Sequence, residues 1–393
     1  MVKFPTINNI KDLLPAIQDR PEFVVAGKEG YIVVNYNVMF EDTFLDPEEF
    51  GVSEKESFHR YLLREARGII FDSKTGNIIR RPFFKFFNIN EREETQLHNL
   101  DFSKEHWVDI KLDGSMIAVF AHEGNLVWGT KMVAPDFHDM VGKFVESSDV
   151  DYAGFCWKLI NDGYTPIFEF MHPQKRIVID YGKPALTLLA IRNMITGEFV
   201  SLNIPSVTKF NIPVVEQHSK ITDPKSFMEY VHELKNAEGF VIRWADGHRV
   251  KIKAHEYIQI HKAKEAILQD RNIVELILDE KLDDIKAHLP IEDRDRLDQF
   301  EDDFNKSVVG IVQTIVEAHV HLKISGIDRK TFALSEANKF DRYVRPILFS
   351  IFDDDYMPNL YPMVRNTIRN NLTKTVKYEE IRDVWFRGIV FNG

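Results

Sequence analysis

The hydrophobic periodicity of this chain changes once, near residue 255, and that change limits the folds open to it. Before it, β-branched and aromatic residues gather in short runs; after it, apolar residues recur every three or four positions. The first regime includes YIVVNYNV from Tyr31, GIIFD from Gly68, WVDIKLDGSMIAVFA from Trp107 and NLVWGT from Asn125. TPIFEF from Thr165, RIVIDY from Arg176, ALTLLAIR from Ala185, GFVIRW from Gly239 and RVKIKA from Arg249 continue it. Gly, Asn, Asp or Pro bounds the runs, as strands require. Two helical stretches, 135–148 and 223–235, interrupt them. The reading is an α+β domain over 1–262 with mostly antiparallel sheets, then an all-helical domain over 263–393. In the second part, 330–338, 343–352, 362–371 and 378–391 are expected helices, punctuated by Pro290, Gly326 and Pro358. A length of 393 residues accommodates two domains.

Cysteine usage and hydropathy narrow the class. Cys156 is the single cysteine, so a disulfide framework and a Cys-based zinc site are excluded. It is expected to be buried beside Phe155 and Trp157 and inert. No run approaches the roughly 18 apolar residues of a membrane span, and the N-terminus lacks a signal-peptide pattern. A cytoplasmic protein is expected.

One short motif carries chemistry. KLDGS, Lys111 to Ser115, reads as a strand, a tight Asp-Gly turn and a second strand. Alone, it is equally a hairpin turn with an exposed lysine. Its context is more specific. IFEF sets Glu169 inside an apolar strand, where a carboxylate is costly unless paired or used. EGFVIRW puts Glu238 at a strand entrance. VKIK places Lys251 and Lys253 on one face of a strand, since side chains alternate. Two such cations call for an anionic partner, although a solvated edge strand would also carry them.

In this order, these pieces resemble the superfamily of ligases and RNA-capping enzymes that form a covalent lysyl–nucleotide intermediate. Two upstream segments sharpen the likeness: EARGIIFD with Arg67 and Gly68, and RPFFKFFNINE with Lys85 and Asn88. Together with FEFMHPQKRIVIDY and AIRN, they resemble the RNA ligase 1 family of T-even bacteriophages over residues 20–262. The resemblance implies an ATP-grasp-like nucleotidyltransferase domain and an ATP-dependent RNA ligase. Lys111 would attack the α-phosphate of ATP, AMP would pass to an RNA 5′-phosphate, and a 3′-hydroxyl would displace it. It implies a catalytic set of Lys111, Glu169, Glu238, Lys251 and Lys253. The nucleotide would contact these five and Arg67, Lys85, Asp113, Gly114 and Ser115. Mg²⁺ or Mn²⁺ would lie on the side of Glu238 and Asp113.

Other members of the superfamily remain as alternatives: a GTP-dependent capping guanylyltransferase or a DNA ligase. Those usually append a five-stranded OB-fold, and the helical pattern after Lys253 disfavours it. A non-catalytic RNA-binding protein is the alternative of another class. The resemblance implies single-stranded or nicked RNA as partner, a cleaved tRNA anticodon loop among the options, and work in the cytoplasm of a phage-infected bacterium. A monomer is expected, without membrane attachment. Lys131 matches a family lysine but reads equally as a surface residue. Lys175 and Arg176 read as solvated. His255, Tyr257 and His261 read as packing or helix-face residues.

The net charge of -11 argues against a protein that grips nucleic acid over its whole surface. The positive charge is local. Segments 67–85 and 243–264 each carry a net +4, and 362–387 carries +3. The last is either an RNA-facing surface or an ordinary mixed-charge helix pair.

Overall fold

The computed structural model describes residues 3–37, 39–40, 42–353 and 358–391. The chain forms two compact units, Met1–Ile258 and Gln259–Gly393.

Among the described residues, the first unit holds fourteen strands. β1 (Phe23–Lys28), β2 (Tyr31–Tyr36), β3 (Ile69–Asp72) and β4 (Ile78–Arg80) form one sheet in that order. The others are β5 (Phe87–Asn88), β6 (His106–Lys111), β7 (Ser115–His122), β8 (Asn125–Gly129), β9 (Tyr164–Met171), β10 (Ala185–Asn193), β11 (Phe199–Val200), β12 (Gln217–His218), β13 (Gly239–Trp244) and β14 (Arg249–Lys253). They build two five-stranded sheets, ordered β11-β10-β9-β7-β8 and β12-β6-β13-β14-β5. Among the described residues β14–β5 is the parallel pair; the other pairs are antiparallel, as expected for an α+β domain.

Helices cover one face of each sheet, and this decides where the polar strand residues go. Helices Pro135–Glu146 and Tyr152–Asn161 bury Val141, Phe155, Cys156 and Leu159 against Ile117, Val119, Phe168 and Phe170. Each such side chain contributes roughly 1.5–3 kcal/mol on burial. With Phe168 and Phe170 turned to the helices, strand alternation turns Glu169 to the opposite face. On the third sheet, Val231 of helix Pro224–Glu233 packs with Val108, Phe240, Val250 and Ile252. Lys111, Lys251 and Lys253 thereby share the other face.

Several local readings need correction. RIVIDY is not a strand: residues 176–181 form an irregular segment. Its backbone N–H groups are spent on a side chain described below, not on a ladder. Helices Ile10–Ile17, Glu54–Glu65 and Tyr152–Asn161 went unread. Cys156 is fully buried and its thiol pKa is raised by burial, as expected of an inert residue.

The second unit is helical, as the periodicity required. Its longest helix, Ile291–Ser325, ends on Gly326 in the left-handed conformation, a common helix stop. Helix Thr375–Trp385 is shorter than the stretch 378–391 implied at its end, and 330–338 is a series of short turns rather than one helix. The basic segment 362–387 reads best as a helix pair. Arg365 donates to the carbonyls of Ile277 and Leu278, which close helix Asp270–Leu278. Arg369 pairs with Asp279 at 2.7 Å, and Arg382 donates to Asp383. Three of its six cations are thus spent within the unit.

Candidate active site

The site forms where the open faces of β6, β13 and β14 meet the turn between β6 and β7. Register sets Gly239 opposite both Lys111 and Lys253. Glu238, immediately before it, is therefore flanked by the two lysines. Its Oε2 lies 2.7 Å from Lys111 Nζ and its Oε1 3.0 Å from Lys253 Nζ. Glu238 is buried while the lysines keep about a quarter of their side-chain surface. Gly239 has φ 141° and a Cβ there would meet the Ile252 carbonyl oxygen at 2.0 Å, so close strand approach demands glycine.

The turn after Lys111 is held by Asp113. Its Oδ2 accepts the backbone N–H groups of Val178 and Ile179 at 2.8 and 2.6 Å. Its Oδ1 accepts the Tyr257 hydroxyl at 2.7 Å, and its own N–H donates to the Tyr181 oxygen at 2.9 Å. This is where the N–H groups of the misread RIVIDY segment go. The carboxylate expected on the metal side is thus buried, with three donors already on it. Gly114 fits because a Cβ would meet the Phe170 carbonyl oxygen at 2.6 Å. Ser115 opens β7 opposite Phe170, and among the described residues its hydroxyl makes no hydrogen bond.

Glu169 enters from β9, opposite Met116 on β7. Burial pushes its carboxyl up to about 8 against the pull of Lys111, with Glu238 and Asp113 adding to the rise. A carboxyl held so far from its ordinary value marks a functional environment. Among the described residues no three His, Cys, Asp or Glu side chains converge on a metal position. Glu169 and Glu238 still suit a hard divalent cation that keeps most of its water, as Mg²⁺ does.

A second cluster of cations lies alongside. Burial lowers Lys251 to about 8, and Lys85, Lys111, Lys253 and Arg67 lower it further. Burial also lowers Lys85 to about 8, with Arg67, Arg92 and Lys131 adding to the effect and Glu91 opposing it. Lys85 lies over the Phe87 ring at 4.9 Å and Lys131 over the Tyr36 ring at 4.4 Å. Lys131 is therefore part of the cluster rather than a plain surface lysine. Arg67 is held by the Phe83 carbonyl at 3.3 Å. Burial is the larger cause and mutual repulsion adds to it, a setting that favours a polyanionic partner.

Sequence reasoning missed Tyr181 and Tyr36, and read Tyr257 as a packing or helix-face residue although its hydroxyl holds Asp113. Tyr257 had a signal, lying four residues after Lys253 at the start of helix His255–Ala266. Lys175 and Arg176 pair with Asp136 and Asp180 at half-exposed positions, in line with the solvated reading.

These sheets and this lysine-centred site define a ligase of nucleotidyltransferase type. Comparison with known proteins gives the family. A family model described as RNA ligase matches residues 65–268, and one described as T4 RNA ligase 1, C-terminal domain, matches 264–379. A Thermovibrio ammonificans protein assigned as an RNA ligase is 30% identical over 71% of this chain and 71% of its own length. A bifunctional polynucleotide kinase/RNA ligase of Autographa californica nuclear polyhedrosis virus is 27% identical over 60% of this chain and 37% of its own. RNA ligase 1 of bacteriophage TS2126 is 25% identical over 46% and 47%. The chain thus spans less than half the length of the two viral relatives. It belongs to the RNA ligase family, with the two-part order of T4 RNA ligase 1. That makes it an RNA-joining enzyme, and among the described residues helices rather than the strands of an OB-fold follow β14, as the helical pattern implied.

Proposed function

We propose that the protein joins an RNA 3′-hydroxyl to an RNA 5′-phosphate through a covalent adenylate on Lys111. The observation that carries this reading is the Lys111–Glu238–Lys253 arrangement beside Glu169. In the first step Lys111 Nζ bonds to the α-phosphorus of ATP, the bond to the pyrophosphate oxygen breaks, and the amine loses a proton. Glu238, 2.7 Å from Nζ, is placed to take that proton. Lys253 and Lys251 face the negative charge that grows on the α-phosphate, a term often worth several kcal/mol. Arg67, Lys85 and Lys131 supply charge for the β- and γ-phosphates.

In the second step an oxygen of the RNA 5′-phosphate attacks the adenylate and the Nζ–phosphorus bond breaks. In the third, the 3′-hydroxyl attacks the activated 5′-phosphate and AMP leaves. A divalent cation at Glu169 and Glu238 would supply Lewis-acid stabilisation of the phosphates. Asp113, with Tyr257 and Tyr181, holds the turn that aims Lys111. Family membership supports single-stranded or nicked RNA as substrate, a cleaved tRNA anticodon loop included, with the 259–393 unit as its recognition part.

The test is direct. Protein incubated with Mg²⁺ and α-labelled ATP, then denatured, should retain label, and Lys111→Ala should not. An unlabelled wild type refutes the reading, and label from GTP alone favours a capping guanylyltransferase.

A further inference from the structure

We propose that the cavity beside Arg249 is a binding site for a phosphate group, separate from the nucleotide site. The cavity measures about 240 Å³, and its walls include Phe4, Phe84, Phe86, Arg64, Lys104 and Arg249. A water needs only about 10–15 Å³ of such space, so the cavity is large enough for a tetrahedral oxyanion with part of its hydration.

Arg249 is 5% exposed, and among the described residues its guanidinium makes neither a hydrogen bond nor an ion pair. Its Nε is fully screened from solvent and unpartnered. The group lies 4.1 Å from the Phe199 ring centre and 5.2 Å from that of Phe83. Rings attract the cation but supply no acceptor for its N–H fork. Burial, with Arg243 and Arg192 nearby, lowers its pKa to about 9 against the pull of Asp109, which is itself paired with Arg243.

The carboxylates of the cavity do not answer that charge. Glu65 is held by Arg81 and Arg192, Glu94 by Arg64, and Glu48 accepts the Tyr61 hydroxyl. Asp46 and Asp246 accept backbone N–H groups in their own turns. The other wall cations have partners: Arg64 has Glu94 and Lys104 has Asp101. Among the described residues Arg249 is the wall cation without a hydrogen bond or ion pair, and a planar guanidinium fork matches two phosphate oxygens.

Strand geometry separates this position from the reacting centre. Arg249, Lys251 and Lys253 share one face of β14, about 6.6 Å apart per step, so Arg249 lies roughly 13 Å along the strand from Lys253. A phosphate held there is not the α-phosphate. It is either a backbone phosphodiester of bound RNA or a free phosphate ion, and the two share the chemistry Arg249 recognises. The charge argument stands apart from the lysine-adenylate reading; the RNA source rests on it.

The experiment uses the full chain saturated with ATP and Mg²⁺. Inorganic phosphate, and separately a 5′-hydroxyl hexaribonucleotide that cannot serve as a donor, are titrated into wild type and Arg249→Gln by calorimetry. One probe should bind wild type and weaken at least tenfold in the variant, with Lys111 labelling unchanged within twofold. Loss with the oligonucleotide identifies a backbone phosphodiester, and loss with the ion identifies free phosphate. Equal binding to both proteins, or no binding by either probe, overturns the proposal. Should the variant fail to fold, phenylglyoxal modification of Arg249 in wild type decides: protection by a probe supports the site, and modification unaffected by both overturns it. Absent Lys111 labelling would instead count against the adenylate reading.

Discussion

Glu238 lies 2.7 Å from the Lys111 ammonium and holds it in the strand register that also brings Lys253 to the same carboxylate. One buried anion thus keeps two cations together that would otherwise repel. Glu238→Gln keeps the shape and removes the charge. The expected outcome is a fall in the rate of Lys111 labelling of about 10²-fold or more, the scale of losing one preorganised electrostatic group. Quenched-flow labelling measures it; a loss under threefold would remove Glu238 from the chemistry.

Glu169 carries a proton at neutral pH, because its carboxyl is raised to about 8. A raised carboxyl means the folded state binds more protons than the unfolded between about pH 4.5 and 8. The stability it contributes is complete below that window and is lost as pH rises through it. Urea denaturation should show a decline across this range that flattens in Glu169→Gln. A divalent cation competes with the same proton, so Mg²⁺ affinity should rise from pH 6.5 to 8.5 with proton release. Calorimetry in buffers of different ionisation enthalpy would detect that release, and none should occur in the variant.

Asp113 is a structural carboxylate with a catalytic consequence. Asp113→Ala leaves two backbone N–H groups and the Tyr257 hydroxyl without their acceptor. A loss of about 3 kcal/mol of stability is expected, together with slow labelling. Tyr181→Phe removes one neutral hydrogen bond and should lose about 1 kcal/mol. Chemical denaturation of both variants, in the absence of nucleotide, checks the order.

The Arg81–Glu65–Arg192 triad is fully buried, with Glu65 Oε1 3.0 and 2.7 Å from the two guanidinium groups. Glu65→Gln would leave two cations sharing a neutral amide. Removing one partner of a buried ion network typically costs about 3–5 kcal/mol. A change under 1 kcal/mol in urea unfolding would contradict this.

The parts of the fold that sequence reveals are those with local causes. Alternation located β6, β7, β9, β13 and β14, and so set Lys111, Glu169, Lys251 and Lys253 on their strands. The KLDGS turn was legible because Asp-Gly is a local conformational signal. RIVIDY deceived for the opposite reason: its pattern is that of a strand, but Asp113, 65 residues earlier, takes its N–H groups. Asp113 was read toward a metal from its place beside Lys111; its donors, Val178, Ile179 and Tyr257, come from distant segments that no local pattern records. Arg80, Arg81 and Arg192 are fully buried, against every expectation from arginine's usual place on the surface. Their partners are backbone carbonyls and a carboxylate distant in sequence, which no local pattern records.

Arg80 donates to the carbonyls of Gly68, Ala118, Gly129 and Lys131. Two of those carbonyls belong to Lys131 and to the residue after Arg67. The spacing between two cations proposed to face phosphate is thereby a property of a third, fully buried residue. Drift at Arg80 would detune both ends at once, and so would look, in an activity screen, like a defect in nucleotide binding.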